Sequence, residues 1–242
     1  MRMMLTPVVG TVLVVAAACG DAATETTVGA LLPDVAEVVF VDKVDNQYWP
    51  LVPGTSWVYE GEDQGESEHI VVTVEEGSRD VMGVPTVVVH DVVSLEGDVA
   101  EDTLDWYAQD GQGNVWYMGE DSKEIENGEV VATTGSWEAG VDGAVPGIIM
   151  WGNPTDRLAA GAYYQEFYEG EAEDKAEVVR IEASVTVSAG TFTDVLVTRE
   201  WNPLDPGTVE LKYYAPGVGL ILEVVESGGD GRIELVSLTT EG

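Results

Sequence analysis

The side chains that could transfer protons, attack a bond or ligate a metal are few in kind. There are two histidines, His69 and His90, a single cysteine, Cys19, and 45 acids against 10 bases. A histidine-based metal site would need carboxylate partners, and both histidines fall in apparent strands. In "VPTVVVHDVV" the alternation from Val87 and Val89 puts His90 on the opposite face, and no spacing brings it to His69. No G-x-S-x-G elbow and no phosphate-binding glycine motif occurs. Carboxylate pairs such as Glu75–Glu76 or Glu171/Glu173/Asp174 arise in any chain this acidic, whereas glycoside hydrolysis needs a set separation across a cleft. The reading is therefore non-enzymatic, without a cofactor or a metal centre. An extracellular carbohydrate-acting hydrolase using a carboxylate pair is the alternative.

Charge narrows the partners. The formal net charge is −35, which repels nucleic acid and anionic lipid headgroups. Only four residues are lysine, so the surface also suits high salt, where screening limits carboxylate repulsion. An acidic structural surface protein that binds cations is a third reading, and composition leaves weak Ca²⁺ binding open. The run Asp110-Gly111-Gln112-Gly113-Asn114 offers oxygens, but it lacks the further acids of an EF-hand loop. Two aromatic segments flank it, and its glycines can take positive φ, so it reads as a hairpin turn.

The elements that must position these groups begin after an export signal. Residues 1–18 carry Arg2 and an apolar run too short for a membrane span, the layout of a signal peptide. "AAACG" resembles a bacterial lipobox, which implies a lipid on Cys19 and attachment to the cell envelope, facing outside the cytoplasm. Residues 19–30 are small and polar and read as a flexible tether. Residues 31–242 read as a single β domain with a Gly-rich loop at about 127–161.

Segments such as "SEHIVVTVEEG", "EVVRIEASVTVSAG" and "TFTDVLVTREW" join β-branched or aromatic residues to turn residues at their ends. In "IEASVTVSAG", Ile181, Ala183, Val185 and Val187 alternate, predicting one buried face. In "RIELVSL", Ile233, Leu235, Val236 and Leu238 alternate only in part. Helical periodicity is nearly absent, and "NPTDRLAAGAYY" offers one short turn. The fold class is all-β, mainly antiparallel: a strongly curved sheet or open barrel with short helical turns.

In "DNQYWPLVPGTSWVYEGE", Pro50 and Pro53 fix extended backbone, Gly54 permits a turn, and Trp57 and Tyr59 share one strand face. This motif reads as the lock of a first strand onto a sheet. The Gly-rich loop carries Trp137, Ile148, Met150 and Trp151, candidate ligand-binding residues and a lid over the sheet's concavity. The segments "YWPLVPGTSWVYEGE", "DWYAQDGQGNVWYMGE", "VSAGTFTDVLVTRE" and "KYYAPGVGLILEVV" together resemble a group of uncharacterised bacterial exported β-sheet lipoproteins. "YAPGVGL" is similar to an element of half-barrel envelope proteins related in fold to lipoprotein carriers. The resemblance implies a half-barrel outside the cytoplasm and transfers no ligand residue. The expected function is an envelope lipoprotein that holds an apolar or amphiphilic small molecule or an envelope protein partner.

Overall fold

Two antiparallel meanders joined by their outer strands make the wall of this protein. The computed structural model describes residue 35 and residues 38–240; the expected signal peptide, Cys19 and the expected tether lie outside the described residues. The first meander runs through β4 (Thr55–Asp63), β5 (Glu66–Val81), β6 (Val84–Leu95), β7 (Asp98–Asp110) and β8 (Val115–Glu126). The second runs through β14 (Lys175–Val187), β15 (Gly190–Trp201), β16 (Val209–Ala215), β17 (Gly219–Ser227) and β18 (Arg232–Thr240). The last strand pairs with the first of these, from Arg232 opposite Glu62 to Thr240 opposite Thr55. Val, Ile, Thr and aromatic residues suit this pleated, half-buried surface, and two-residue alternation sends their side chains to opposite faces.

The segment expected as a Gly-rich loop at 127–161 instead contains strands. They are β9 (Glu129–Ala132), β10 (Trp137–Glu138) and β11 (Val145–Met150), all paired to β8, followed by a 3-10 turn at Pro154–Arg157. Closure follows from a five-residue span. β12 (Tyr163–Tyr164) pairs with β14, and β13 (Glu166–Phe167) pairs with β11. Gln165, between them, donates its N–H to the Asp174 carbonyl at 2.8 Å. One short segment thus brings the sheet's two edges together, and the all-antiparallel sheet becomes a nearly closed barrel. Closing a sheet removes edges whose unpaired backbone would otherwise template association.

The chain before β4 crosses one end of this barrel. β1 (Phe40–Val41) pairs with the end of β7, and β2 (Val44–Asn46) and β3 (Trp49–Leu51) form a separate hairpin. The Asn46 amide donates to the carbonyls of Gly113 and Trp151 at 2.8 and 3.0 Å. The Tyr48 hydroxyl donates to the Asp194 carbonyl at 3.1 Å, and Gly217 N–H donates to the Gln47 carbonyl at 2.7 Å. These anchors sit on both meanders, so the hairpin ties them across the barrel end.

The turn between β7 and β8 is a hairpin. Gly113 takes φ +83°, a conformation glycine reaches without steric cost. The buried Asp110 carboxylate accepts hydrogen bonds from the N–H groups of Gln112 and Asn114, from Asn114 Nδ2 and from Trp116 Nε1, at 2.8 to 3.0 Å. All its accepting capacity serves the turn. Asp110→Asn exchanges one acceptor oxygen for a donor and should lower stability by about 1–2 kcal/mol. Thermal unfolding followed by circular dichroism should then shift down by roughly 3–6 °C.

Candidate functional site

The barrel interior is not filled by side chains. It encloses about 290 Å³, and the space continues to the end opposite the β2–β3 hairpin, where Asp63, Asp205 and Gly229 line it. The hairpin supplies its floor. The Trp49 ring lies between Tyr107 of β7 and Tyr214 of β16, with centroids 5.5 and 5.8 Å away. Tyr107 stacks on Tyr117 at 4.9 Å, and Tyr117 meets Trp137 edge-on at 5.4 Å. Trp57 and Tyr59 face inward as expected, with Trp57 Nε1 donating to the Val218 carbonyl and the Tyr59 hydroxyl to that of Leu220. The aromatic motif of residues 45–62 therefore does two jobs: it locks β4 into the sheet and it floors the cavity.

Above this floor the wall is acidic. Fourteen carboxylates line the cavity, and Lys212 is the only base among its lining residues. Lys212 Nζ stands 3.3 Å from Glu223, 3.4 Å from Glu200 and 3.7 Å from Glu210. Burial pulls its pKa down, but the three carboxylates outweigh that and hold it well above the usual lysine range.

Several acids of the wall are driven toward the neutral form. Burial, reinforced by neighbouring carboxylates, pushes Asp91 up to about 6 and Asp105 to about 7. The same causes push Glu120 and Glu210 to about 8. The Tyr117 hydroxyl lies 2.5 Å from Asp105 Oδ1 and 3.0 Å from Glu120 Oε2. A phenol has one proton to donate, so one of the two carboxyls must carry the proton of the second hydrogen bond. Glu166 is raised well above the ordinary range by burial and by Asp174, with which it shares a hydrogen bond, and it accepts from Trp137 Nε1 at 2.7 Å.

Some polar atoms at this surface have no partner among the described residues. Gln165 is 1% exposed, yet neither its Oε1 nor its Nε2 makes a hydrogen bond, and the residue faces the cavity. Asp91 Oδ1 and Trp49 Nε1 are likewise buried without a partner.

The four residues singled out in the sequence lie in or behind the wall. Trp137 backs Tyr117. Ile148 and Met150 are fully buried in β11, while Ile149, on the alternate face, lines the cavity. Trp151 packs edge-on against Tyr163 at 5.4 Å, with the Arg157 guanidinium 4.0 Å over its ring. The structure thus joins Trp137 to the cavity through Tyr117 and leaves Trp151 in a separate aromatic contact. His69 and His90 stay apart: His69 pairs with Ser94 and His90 with Thr73 along the β5–β6 ladder. Both face away from the cavity, because their neighbours Glu68, Ile70, Val89 and Asp91 line it. Among the described residues no cluster of three or more His, Cys, Asp or Glu could hold a metal ion. Sequence reading did not single out Asp91, Asp105, Glu120, Gln165 or Lys212.

No protein-family model matches the chain, and no curated protein matches it. Among solved structures, a crystal structure from Parabacteroides distasonis ATCC 8503, provisionally described as a lipoprotein, is similar at 15% identity with a TM-score of 0.45, over 80% of this chain and 99% of that one.

Proposed function

We propose that this protein is a non-enzymatic binding protein of the cell envelope, tethered through a lipid on Cys19, that holds a small molecule with an apolar part inside its barrel. The observation that carries the reading is the cavity of about 290 Å³ over the Trp49–Tyr107–Tyr214 floor, near the lower end of the volumes typical of small-molecule sites. A barrel of this kind serving only as scaffold would gain stability by filling that space with side chains. The N-terminal signal and the cysteine that follows it support the envelope location.

In this reading Trp137, Ile148, Met150 and Trp151 belong to the frame of the site rather than to its surface. Trp137 fixes the ring of Tyr117 from behind, and β11 carries Ile149 into the cavity. Native mass spectrometry of the full chain, before and after denaturation, tests the reading. A ligand mass that is lost on denaturation and is reduced in Trp49→Ala is the expected result. A bare chain mass, with no change in tryptophan fluorescence on titration with 1-octanol, overturns it. Trp137→Ala should weaken retention about tenfold by freeing Tyr117; unchanged retention removes Trp137 from the site.

A further inference from the structure

Resting on the reading that the barrel holds a ligand, we propose that the ligand is an organic ammonium compound: its carbon chain lies on the floor of Trp49, Tyr107 and Tyr214, and its charged nitrogen sits among Asp91, Asp105 and Glu223.

Charge favours this class over the other amphiphiles. An anionic headgroup entering this cavity would meet fourteen acidic side chains, negative wherever burial does not hold them neutral, and one lysine, which is already engaged by Glu200, Glu210 and Glu223. A neutral amphiphile would bring no charge to Asp91 and Asp105, whereas an ammonium replaces lost hydration with direct ion pairing. A metal ion needs its ligands gathered at one point. Among the described residues no group of three or more His, Cys, Asp or Glu is gathered tightly enough to hold one.

The aromatic rings point the same way. Elsewhere the protein covers rings with its own cations: Arg79 lies 3.8 Å over Trp106, Arg157 4.0 Å over Trp151, Lys175 4.3 Å over Tyr164 and Arg180 5.7 Å over Tyr213. Among the described residues none lies over Trp49, Trp57, Tyr59, Tyr107, Tyr117, Trp201 or Tyr214, the rings that line the cavity. Electron-rich faces beside carboxylates are the combination that recognises alkylated ammonium groups. An independent observation is Gln165. Its amide is buried at the cavity wall with no hydrogen bond among the described residues, a costly arrangement unless an occupant of the cavity, water or ligand, completes it. An ammonium N–H is a donor suited to its Oε1.

Three probes of equal carbon length and different head charge separate the outcomes: n-octylammonium, 1-octanol and octanoate, titrated calorimetrically into the full chain at pH 8. The expected result is octylammonium binding at least tenfold tighter than octanol, with no binding of octanoate. Asp91→Asn and Glu223→Gln should each weaken octylammonium about fivefold or more and leave octanol unchanged, while Trp49→Ala should weaken both. Asp91→Asn removes a buried charge, so thermal unfolding should show it folded. Octanol or octanoate binding as tightly as octylammonium overturns the ammonium proposal and leaves the ligand-holding reading intact. Octylammonium binding that none of the three variants alters is condensation on the acidic surface and also overturns it. No binding of any probe overturns both readings.

Discussion

Lowering the pH from 8.5 to 5.5 should make this protein more stable, raising its melting temperature by roughly 10 °C. The cause is the set of inward carboxylates whose burial no cation fully offsets. Burial, helped by neighbouring acids, raises Asp91 to about 6, Asp105 to about 7 and Glu120 and Glu210 to about 8. Unfolded, each would titrate near 4. Between pH 4 and 8 the folded chain therefore holds more protons than the unfolded chain, and stability falls as pH rises through that window. A tenfold difference in proton affinity between the folded and unfolded chain corresponds to about 1.4 kcal/mol, less what solvent reaching the cavity recovers.

The opposite sign belongs to surface acids. Hydrogen bonds from Lys43, from Ser67 and from Arg199 lower Asp45, Glu96 and Glu226 respectively. Their small contributions are present above pH 4 and are lost only below it, so the optimum should fall near pH 5. Repulsion among exposed carboxylates also grows with pH up to about 5, but salt screens it. Thermal scans at 0.1 and 1 M NaCl separate the two: the slope between pH 6 and 8 should persist at high salt and flatten in Asp105→Asn. A melting temperature that is level or rises over that range would refute the account.

Much of the wall was legible in the sequence, and most of the cavity was not. β-branched runs ending in Gly, Asn and Asp marked the long strands, and the hairpin at Asp110–Asn114 followed from its turn residues. Partial alternation in "RIELVSL" has a physical origin: the register shifts between Leu235 and Ser237, so Leu235 opposite Tyr59 and Leu238 opposite Trp57 fall on one face although three residues apart. The clean alternation of Ile181, Ala183, Val185 and Val187 predicted one buried face, but Ala183 is exposed, because alternation names a face and not what covers it. The same limit hid the site. Asp91 and Asp105 occupy inward positions by the same two-residue period that places His90 outward, and nothing local distinguishes a wet interior from a wet exterior. In β11 a bulge between Ile148 and Met150 further obscures the phase that brings Ile149 to the cavity. The strands within 127–161 were missed because they are short and interrupted by glycines, and pairing with β8 is what orders them.

Gly147→Ala should open the barrel seam and cost about 3 kcal/mol or more. Gly147 sits in β11 opposite Tyr117, where the closing segment crosses over it. A Cβ built there would lie 2.4 Å from the Gln165 carbonyl carbon, 2.5 Å from its oxygen and 2.6 Å from the Tyr164 carbonyl oxygen. These are backbone atoms, and both sides of the crossing are held. Tyr163 and Tyr164 pair with Ala176 and Lys175, while Glu166 and Phe167 pair with Pro146 and Val145. No side-chain rotation relieves such a contact, so the segment must lift from one edge or the other. Lifting it would move Gln165 and Glu166 from the cavity wall and break the bond from Trp137 to Glu166. The variant should melt roughly 10 °C lower than the parent and lose bound ligand by a larger factor than its remaining folded fraction explains. Gly111→Ala is the matched control, since a Cβ there meets only the Val39 carbonyl oxygen at 3.7 Å, an ordinary contact, and it should change stability by less than about 0.5 kcal/mol. If Gly147→Ala melted with the control, the two sheet edges would not be held together at this crossing, and the cavity would be a cleft open along its side.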